Sequence, residues 1–164
     1  MRIVLIGNTG QLGYELERTL SPLGEVTGLD YPLLDLSQPE QALKQVEALH
    51  PQVIVNAAAY TAVDLAESQS ELAQAINARA PGLLAELAQR LGAALIHYST
   101  DYVFDGRKGV PYMETDAVSP LGVYGASKLA GEQAVQQVGG AYWIFRTSWV
   151  FSTRRDSFVS KVLQ

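Results

Sequence analysis

The chain has 164 residues, the size of one domain, with 48% hydrophobic and 18% charged residues, enough apolar surface to bury a core and too much for a disordered segment. Its formal net charge of −5 contains no block of like charges, so nothing attracts nucleic acid or an anionic membrane. It has no cysteine, which excludes disulfides and thiolate chemistry, and no stretch long and apolar enough to span a bilayer.

The apolar run at the N-terminus is too short for a signal-peptide core, and a cytoplasmic location is the expectation. Ile3-Val4-Leu5-Ile6 is an unbroken branched-aliphatic run, the mark of a strand buried on both faces of a parallel sheet. It runs straight into Gly7-Asn8-Thr9-Gly10-Gln11-Leu12-Gly13, after which Leu12, Leu16 and Leu20 recur at helical spacing. Glycines at such a strand–helix turn let backbone approach a ligand, and the free N–H groups of the helix start suit a pyrophosphate. A second short strand over residues 24–30 ends in Asp30, 23 residues after Gly7. That is close to the offset of about 20 at which an acid meets the adenosine ribose, although a solvated turn aspartate reads the same way. No Arg or Lys follows it to take a 2′-phosphate, which tilts the cofactor towards NAD(H). Asp35, in Leu34-Asp35-Leu36, reads either as an adenine contact or as a loop residue.

Ser37-Gln38-Pro39-Glu40 has the form of a capping box and opens a helix striped by Leu43, Val46 and Leu49. Val53-Ile54-Val55 is the third strand. It ends in Asn56-Ala57-Ala58-Ala59-Tyr60-Thr61, small residues that fit either a flat cofactor or tight helix–sheet packing. A long helix is expected over residues 64–91, kinked or divided at Pro81-Gly82 and stopped by Gly92. The fourth strand, residues 94–98, leads into Ser99-Thr100-Asp101-Tyr102, placing hydroxyls at its C-terminal edge. His97, inside that strand, reads as a histidine satisfied within the sheet. Residues 107–120 form a polar loop, expected as a rim or lid of the cleft. A helix follows from Tyr124 to about Val138, ended by Gly139-Gly140, and a fifth strand covers residues 141–146. Strands and helices alternate throughout, which predicts an α/β fold with a doubly wound parallel sheet.

Tyr124 and Lys128 are four residues apart and therefore one turn apart on one helix face. An ammonium beside a phenol favours phenolate, so the tyrosine is expected at a lowered pKa, suited to acid–base work on a carbonyl or an alcohol. Taken alone, the pair is more simply the surface of an amphipathic helix. It gains weight because the glycine turn, Ala58–Thr61, Ser99–Thr100 and this helix all meet the C-terminal edge of one sheet, where ligands bind in open α/β folds.

On these motifs the chain resembles the extended short-chain dehydrogenase/reductases. The resemblance runs over residues 1–164. It also rests on Val55-Asn56-Ala57-Ala58-Ala59-Tyr60-Thr61-Ala62-Val63-Asp64, His97-Tyr98-Ser99-Thr100-Asp101-Tyr102-Val103-Phe104-Asp105-Gly106, Tyr124-Gly125-Ala126-Ser127-Lys128-Leu129-Ala130-Gly131-Glu132 and Phe145-Arg146-Thr147-Ser148-Trp149-Val150. The resemblance implies a Rossmann-type dinucleotide-binding domain that uses NADH or NADPH to reduce the C4 ketone of a nucleotide sugar, dTDP-4-dehydro-6-deoxy-L-mannose. It implies that Tyr124 protonates the C4 oxygen, that Lys128 lowers the Tyr124 pKa and bonds the nicotinamide ribose, and that Thr100 bonds the reacting carbonyl. Asp101, Tyr102 and Trp149 match sugar contacts. Gly7, Gly10, Gln11, Leu12, Asp30, Asp35, Ala58, Ala59 and Tyr60 match cofactor contacts. Glu15 matches a position where some relatives hold magnesium at a homodimer interface.

Two departures stand out. The chain ends in Ser157-Phe158-Val159-Ser160-Lys161-Val162-Leu163-Gln164, which reads as a helix without a stop signal, and the resemblance implies a further C-terminal substrate-binding part, expected to be missing here. Ser157 stands where relatives often carry Asn. A nucleotide-sugar epimerase or dehydratase is the alternative chemistry, although Thr100-Asp101 is followed by Tyr102 and not by the Glu a dehydratase usually needs. A dinucleotide-binding regulatory subunit without catalysis is the alternative from another class.

Overall fold

The computed structural model describes residues 1–151 and Val162. Its centre is a five-stranded sheet: β1 (Arg2–Ile6), β2 (Glu25–Leu29), β3 (Val53–Asn56), β4 (Ala94–Thr100) and β5 (Tyr142–Thr147). The strand order is β2-β1-β3-β4-β5, and every pairing is parallel. The order turns back on itself between β1 and β3. A crevice opens at that switch point, outside the carboxyl ends of the strands.

The unbroken apolar run of β1 is explained by what covers it. Val4 and Ile6 face one layer with Ile54 and Leu95, packed on Val46 of α2 (Pro39–Ala48), Leu84 and Leu87 of α5 (Ala80–Leu91) and Val135 of α6 (Val123–Val138). Ile3 and Leu5 face the other side with Val55, against Leu16 and Leu20 of α1 (Gln11–Leu20). Helices on both faces make the sheet doubly wound, as expected. Leu84 and Leu87 are fully buried, so truncating either to Ala would cost about 2–5 kcal/mol.

The helical region expected over residues 64–91 is divided, but before Ala80 and not at Pro81-Gly82, which lie in the first turn of α5. Its pieces are α3 (Val63–Ala66), α4 (Ser70–Gln74), a π-helical turn Ala75–Arg79, and α5. Pro81 has no N–H to give to the Asn77 carbonyl four residues back. That carbonyl instead faces α6, where a Cβ on Gly131 would stand only 2.1 Å from it. The capping box is also absent. The N-cap of α2 is Gln38, with no side-chain cap bond, and the Ser37 N–H is taken by Asp35 Oδ1 at 2.8 Å.

The polar loop forms as expected, but it rims a neighbouring cavity through Tyr112, Met113 and Glu114. Phe104 stacks on Tyr112 at 4.1 Å, Tyr112 Oη donates to Asp105 Oδ1, and Lys108 pairs with Asp116. Among the described residues no helix is long and apolar enough to cross a membrane. The unstopped terminal helix and Ser157 lie outside the described residues.

Candidate active site

A cavity of about 540 Å³ lies at the β1/β3 switch point. Its floor is the glycine turn. Gly7 has φ +84°, a conformation that disfavours a side chain, and its Cβ would fall 2.7 Å from the Ala58 nitrogen. Gly13 lets α1 close onto the turn, since a Cβ there would meet the Gly7 carbonyl oxygen at 1.9 Å. The turn is therefore shaped by backbone contact, and it leaves the start of α1 facing the cavity. Gly7, Gly10, Gln11, Leu12, Asp30, Ala58 and Ala59 all line it. Asp30 Oδ2 accepts from both Thr9 N and Thr9 Oγ1, at 3.1 and 2.6 Å, so this carboxylate anchors the turn as well as facing the cleft.

Two of the residues matched to cofactor contacts are engaged elsewhere. Asp35 accepts from the Ser37 N–H. Tyr60 donates its hydroxyl to Gln69 Oε1 at 2.8 Å, and its backbone is clamped by Asn77, whose Oδ1 accepts from Tyr60 N and whose Nδ2 donates to Tyr60 O. Glu15 sits on α1 with Arg18 Nη1 on its carboxylate. Among the described residues no group of three or more His, Asp or Glu side chains could hold a metal ion, so magnesium finds no support.

The opposite wall carries Thr100, Asp101 and Tyr102 from the end of β4, with Tyr124 and Lys128 from the first turns of α6. Thr100 Oγ1 accepts from Tyr102 N and donates to Asp101 Oδ1, both at 3.2 Å. Asp101 Oδ2 accepts from Ser148 Oγ at 2.7 Å. The Tyr102 ring stands edge-on to Tyr124, with centroids 5.5 Å apart. Trp149 reaches the same cavity from beyond β5; it is 72% exposed and has φ +51°. Thr61 and Ser99, at the strand edges expected to meet the ligand, line the cavity too; Tyr98 and Ser148 also line it, without a role having been read for either in the sequence.

The electrostatics differ from the sequence expectation in one respect. Burial pushes the Tyr124 phenol above its ordinary value of 10.0, outweighing the hydrogen bond with Thr100, which lowers it. Lys128 does not reverse this. Its ammonium donates to the Tyr98 carbonyl at 2.6 Å, and burial brings it down from 10.5 to about 8, against the pull of Glu132. Tyr124 is thus a protonated phenol over the neutral range, poised as an acid. His97 is buried as expected but only half satisfied: Nδ1 meets Asn56 Nδ2 at 3.2 Å, and Nε2 has no partner among the described residues. Burial first, and Lys128 second, hold His97 well below 6.5, so it is neutral.

A family model described as the RmlD substrate binding domain matches residues 1–164. Among curated proteins, the dTDP-4-dehydrorhamnose reductase of Burkholderia thailandensis is 49% identical over the whole of this chain and 55% of its own length. The Escherichia coli enzyme of the same name is 48% identical over 56% of its length. The chain therefore spans about half the length of the curated relatives it matches. A crystal structure of dTDP-4-dehydrorhamnose reductase from Bacillus anthracis in complex with NADP superposes with a TM-score of 0.92 at 39% identity, covering 99% of this chain and 58% of that one. A UDP-glucose 4-epimerase from Thermus thermophilus, in complex with NAD, shares the fold with a TM-score of 0.84 at 23% identity.

Proposed function

This chain belongs to the RmlD substrate binding domain family, and we propose that it carries the dinucleotide-binding and proton-donating machinery of a dTDP-4-dehydrorhamnose reductase. The reaction is reduction of the C4 ketone of dTDP-4-dehydro-6-deoxy-L-mannose to dTDP-L-rhamnose. The observation that supports it most is one cavity bounded by the glycine turn on one wall and by Thr100, Tyr124 and Lys128 on the other.

The residues present fit a nicotinamide dinucleotide. The turn is held open by Gly7, whose missing Cβ leaves backbone against Ala58, and the helix start faces the space where a pyrophosphate would sit. Gly7, Gly10, Gln11 and Leu12 would hold the phosphates, Asp30 the adenosine ribose, and Ala58 and Ala59 the flat face of the rings. When bound there, the cofactor supplies the hydride. NADP in the Bacillus anthracis relative supports a phosphorylated cofactor, whereas Asp30 without a following cation favours NADH.

The chain's own groups handle the proton and the orientation. Thr100, turning its one hydroxyl proton from Asp101 to the ketone oxygen, holds that oxygen beside the phenol. Tyr124 gives its proton to that oxygen as the new C–H bond forms at C4, so the ketone becomes an alcohol and the tyrosine a phenolate. A phenol raised by burial remains protonated until that moment. The Lys128 cation, one turn away, then stabilises the phenolate and returns a proton to it. Asp101, Tyr102 and Trp149 bound the sugar side.

The test is oxidation of NADH or NADPH with and without the keto sugar. Cofactor consumption that requires the sugar supports the reading, and consumption indifferent to it overturns it.

A further inference from the structure

We propose that Glu132, clamped by Arg146, is a positioning residue that holds the positive charge on Lys128. The proposal rests on the reading of Tyr124 and Lys128 given above and extends it to a second layer behind the cavity.

Lys128 and Glu132 are four residues apart on α6, so they lie one turn apart on the same face. Each is 1% exposed. An ammonium and a carboxylate removed from water are each costly unless partnered, so two such groups on one buried face need an account. Glu132 has a full partner. Arg146 Nε reaches its two oxygens at 3.0 and 3.2 Å, and Nη2 reaches Oε2 at 2.6 Å, a two-pronged pairing. Arg146 is in turn fixed on β5, with its guanidinium 5.0 Å from the Phe104 ring centre. The fork sets the carboxylate in one place.

Lys128 is partnered only in part. Its Nζ carries three protons, and the Tyr98 carbonyl takes one. The groups that face it can be named. From β4 come the Tyr98 carbonyl and the neutral His97; from α6 comes Glu132, with Tyr124 lining the same cavity; from β5, Arg146 acts through Glu132. Glu132 is the anion in that set. The row therefore alternates Arg146 cation, Glu132 anion, Lys128 cation and neutral imidazole. Burial pulls Lys128 towards its neutral form, and Glu132 opposes this. A neutral amine could neither steady the Tyr124 phenolate nor return a proton to it.

The experiment is an NMR titration of the side-chain nitrogens in 15N-lysine-labelled protein, following Lys128 assigned by its loss in Lys128→Met. In the wild type, Lys128 is expected to be cationic at about pH 7; a neutral amine there overturns the proposal without any variant. Glu132→Gln is expected to lower the Lys128 midpoint by about one pH unit or more, and Glu132→Asp to restore most of it. Arg146→Gln, which frees the buried carboxylate from its clamp and lets it take up a proton, is expected to lower it as well. A folded Glu132→Gln protein with an unmoved midpoint contradicts the proposal. If that variant does not fold, Arg146→Gln decides: an unchanged or raised midpoint contradicts it. The titration reads Lys128 directly, so its outcome is separate from turnover, which tests the reductase reading.

Discussion

The Lys128 ammonium donates to the Tyr98 carbonyl oxygen at 2.6 Å, joining helix α6 to strand β4 two residues before Thr100. This bond fixes the distance between the two elements that carry Tyr124, the proposed proton donor, and the Thr100 hydroxyl. It also makes the fold bear the cost of a buried cation at its active site. Folding stability should report that cost.

With Lys128 at about 8 in the folded state and 10.5 as its ordinary value, the unfolded chain binds more protons between those two pH values. Stability should therefore rise as pH rises from about 8 to 10.5, by about 3–4 kcal/mol at most, and be flat with respect to this group below 8. Urea midpoints measured across that window should show this rise in the wild type and not in Lys128→Met. The two profiles should otherwise run parallel.

His97 gives the opposite end of the pH range. Its folded value lies well below 6.5, so below 6.5 the unfolded chain again binds more protons. Stability from this group is complete above 6.5 and is lost as pH falls towards the folded value. His97→Gln should flatten that part of the acid limb, read by urea unfolding between about pH 5 and 7.

Asn77 ties three parts of the site together. Its side chain bonds both backbone groups of Tyr60 and donates to Ser127 Oγ at 3.0 Å, next to Lys128 on α6. Ser127 Oγ passes on to the Tyr124 carbonyl at 2.8 Å. Asn77→Ala would leave buried polar groups unpaired and should cost about 2–4 kcal/mol by chemical denaturation. Gly13→Ala tests the other wall: its Cβ meets the Gly7 carbonyl, so it should lower stability by about 1–3 kcal/mol and weaken dinucleotide binding in a fluorescence titration.

The strands and the glycine turn were legible because their causes are local: a continuous apolar run for β1, glycines where backbone meets backbone. Tyr124, Lys128 and Thr100 were legible through spacing and strand-edge position, and the structure brings them to one cavity. The division of the helix before α5 was only partly legible. Pro81 and Gly82 marked a break, but the π turn at Ala75–Arg79 depends on where the Asn77 carbonyl goes, and that is set by Gly131 fifty-four residues later. The Tyr124 shift was misread for a similar reason. Spacing shows that Lys128 is near, but not that its ammonium bonds Tyr98 or that burial dominates the phenol.

The role of Tyr124 as proton donor is tested most directly by the sugar-dependent kcat of Tyr124→Phe, measured beside its affinity for NADH. Phenylalanine keeps the ring against Tyr102 and removes only the hydroxyl. The expected result is a fall in kcat of about 10²-fold or more with cofactor affinity unchanged. Turnover equal to that of the wild type would contradict the assignment.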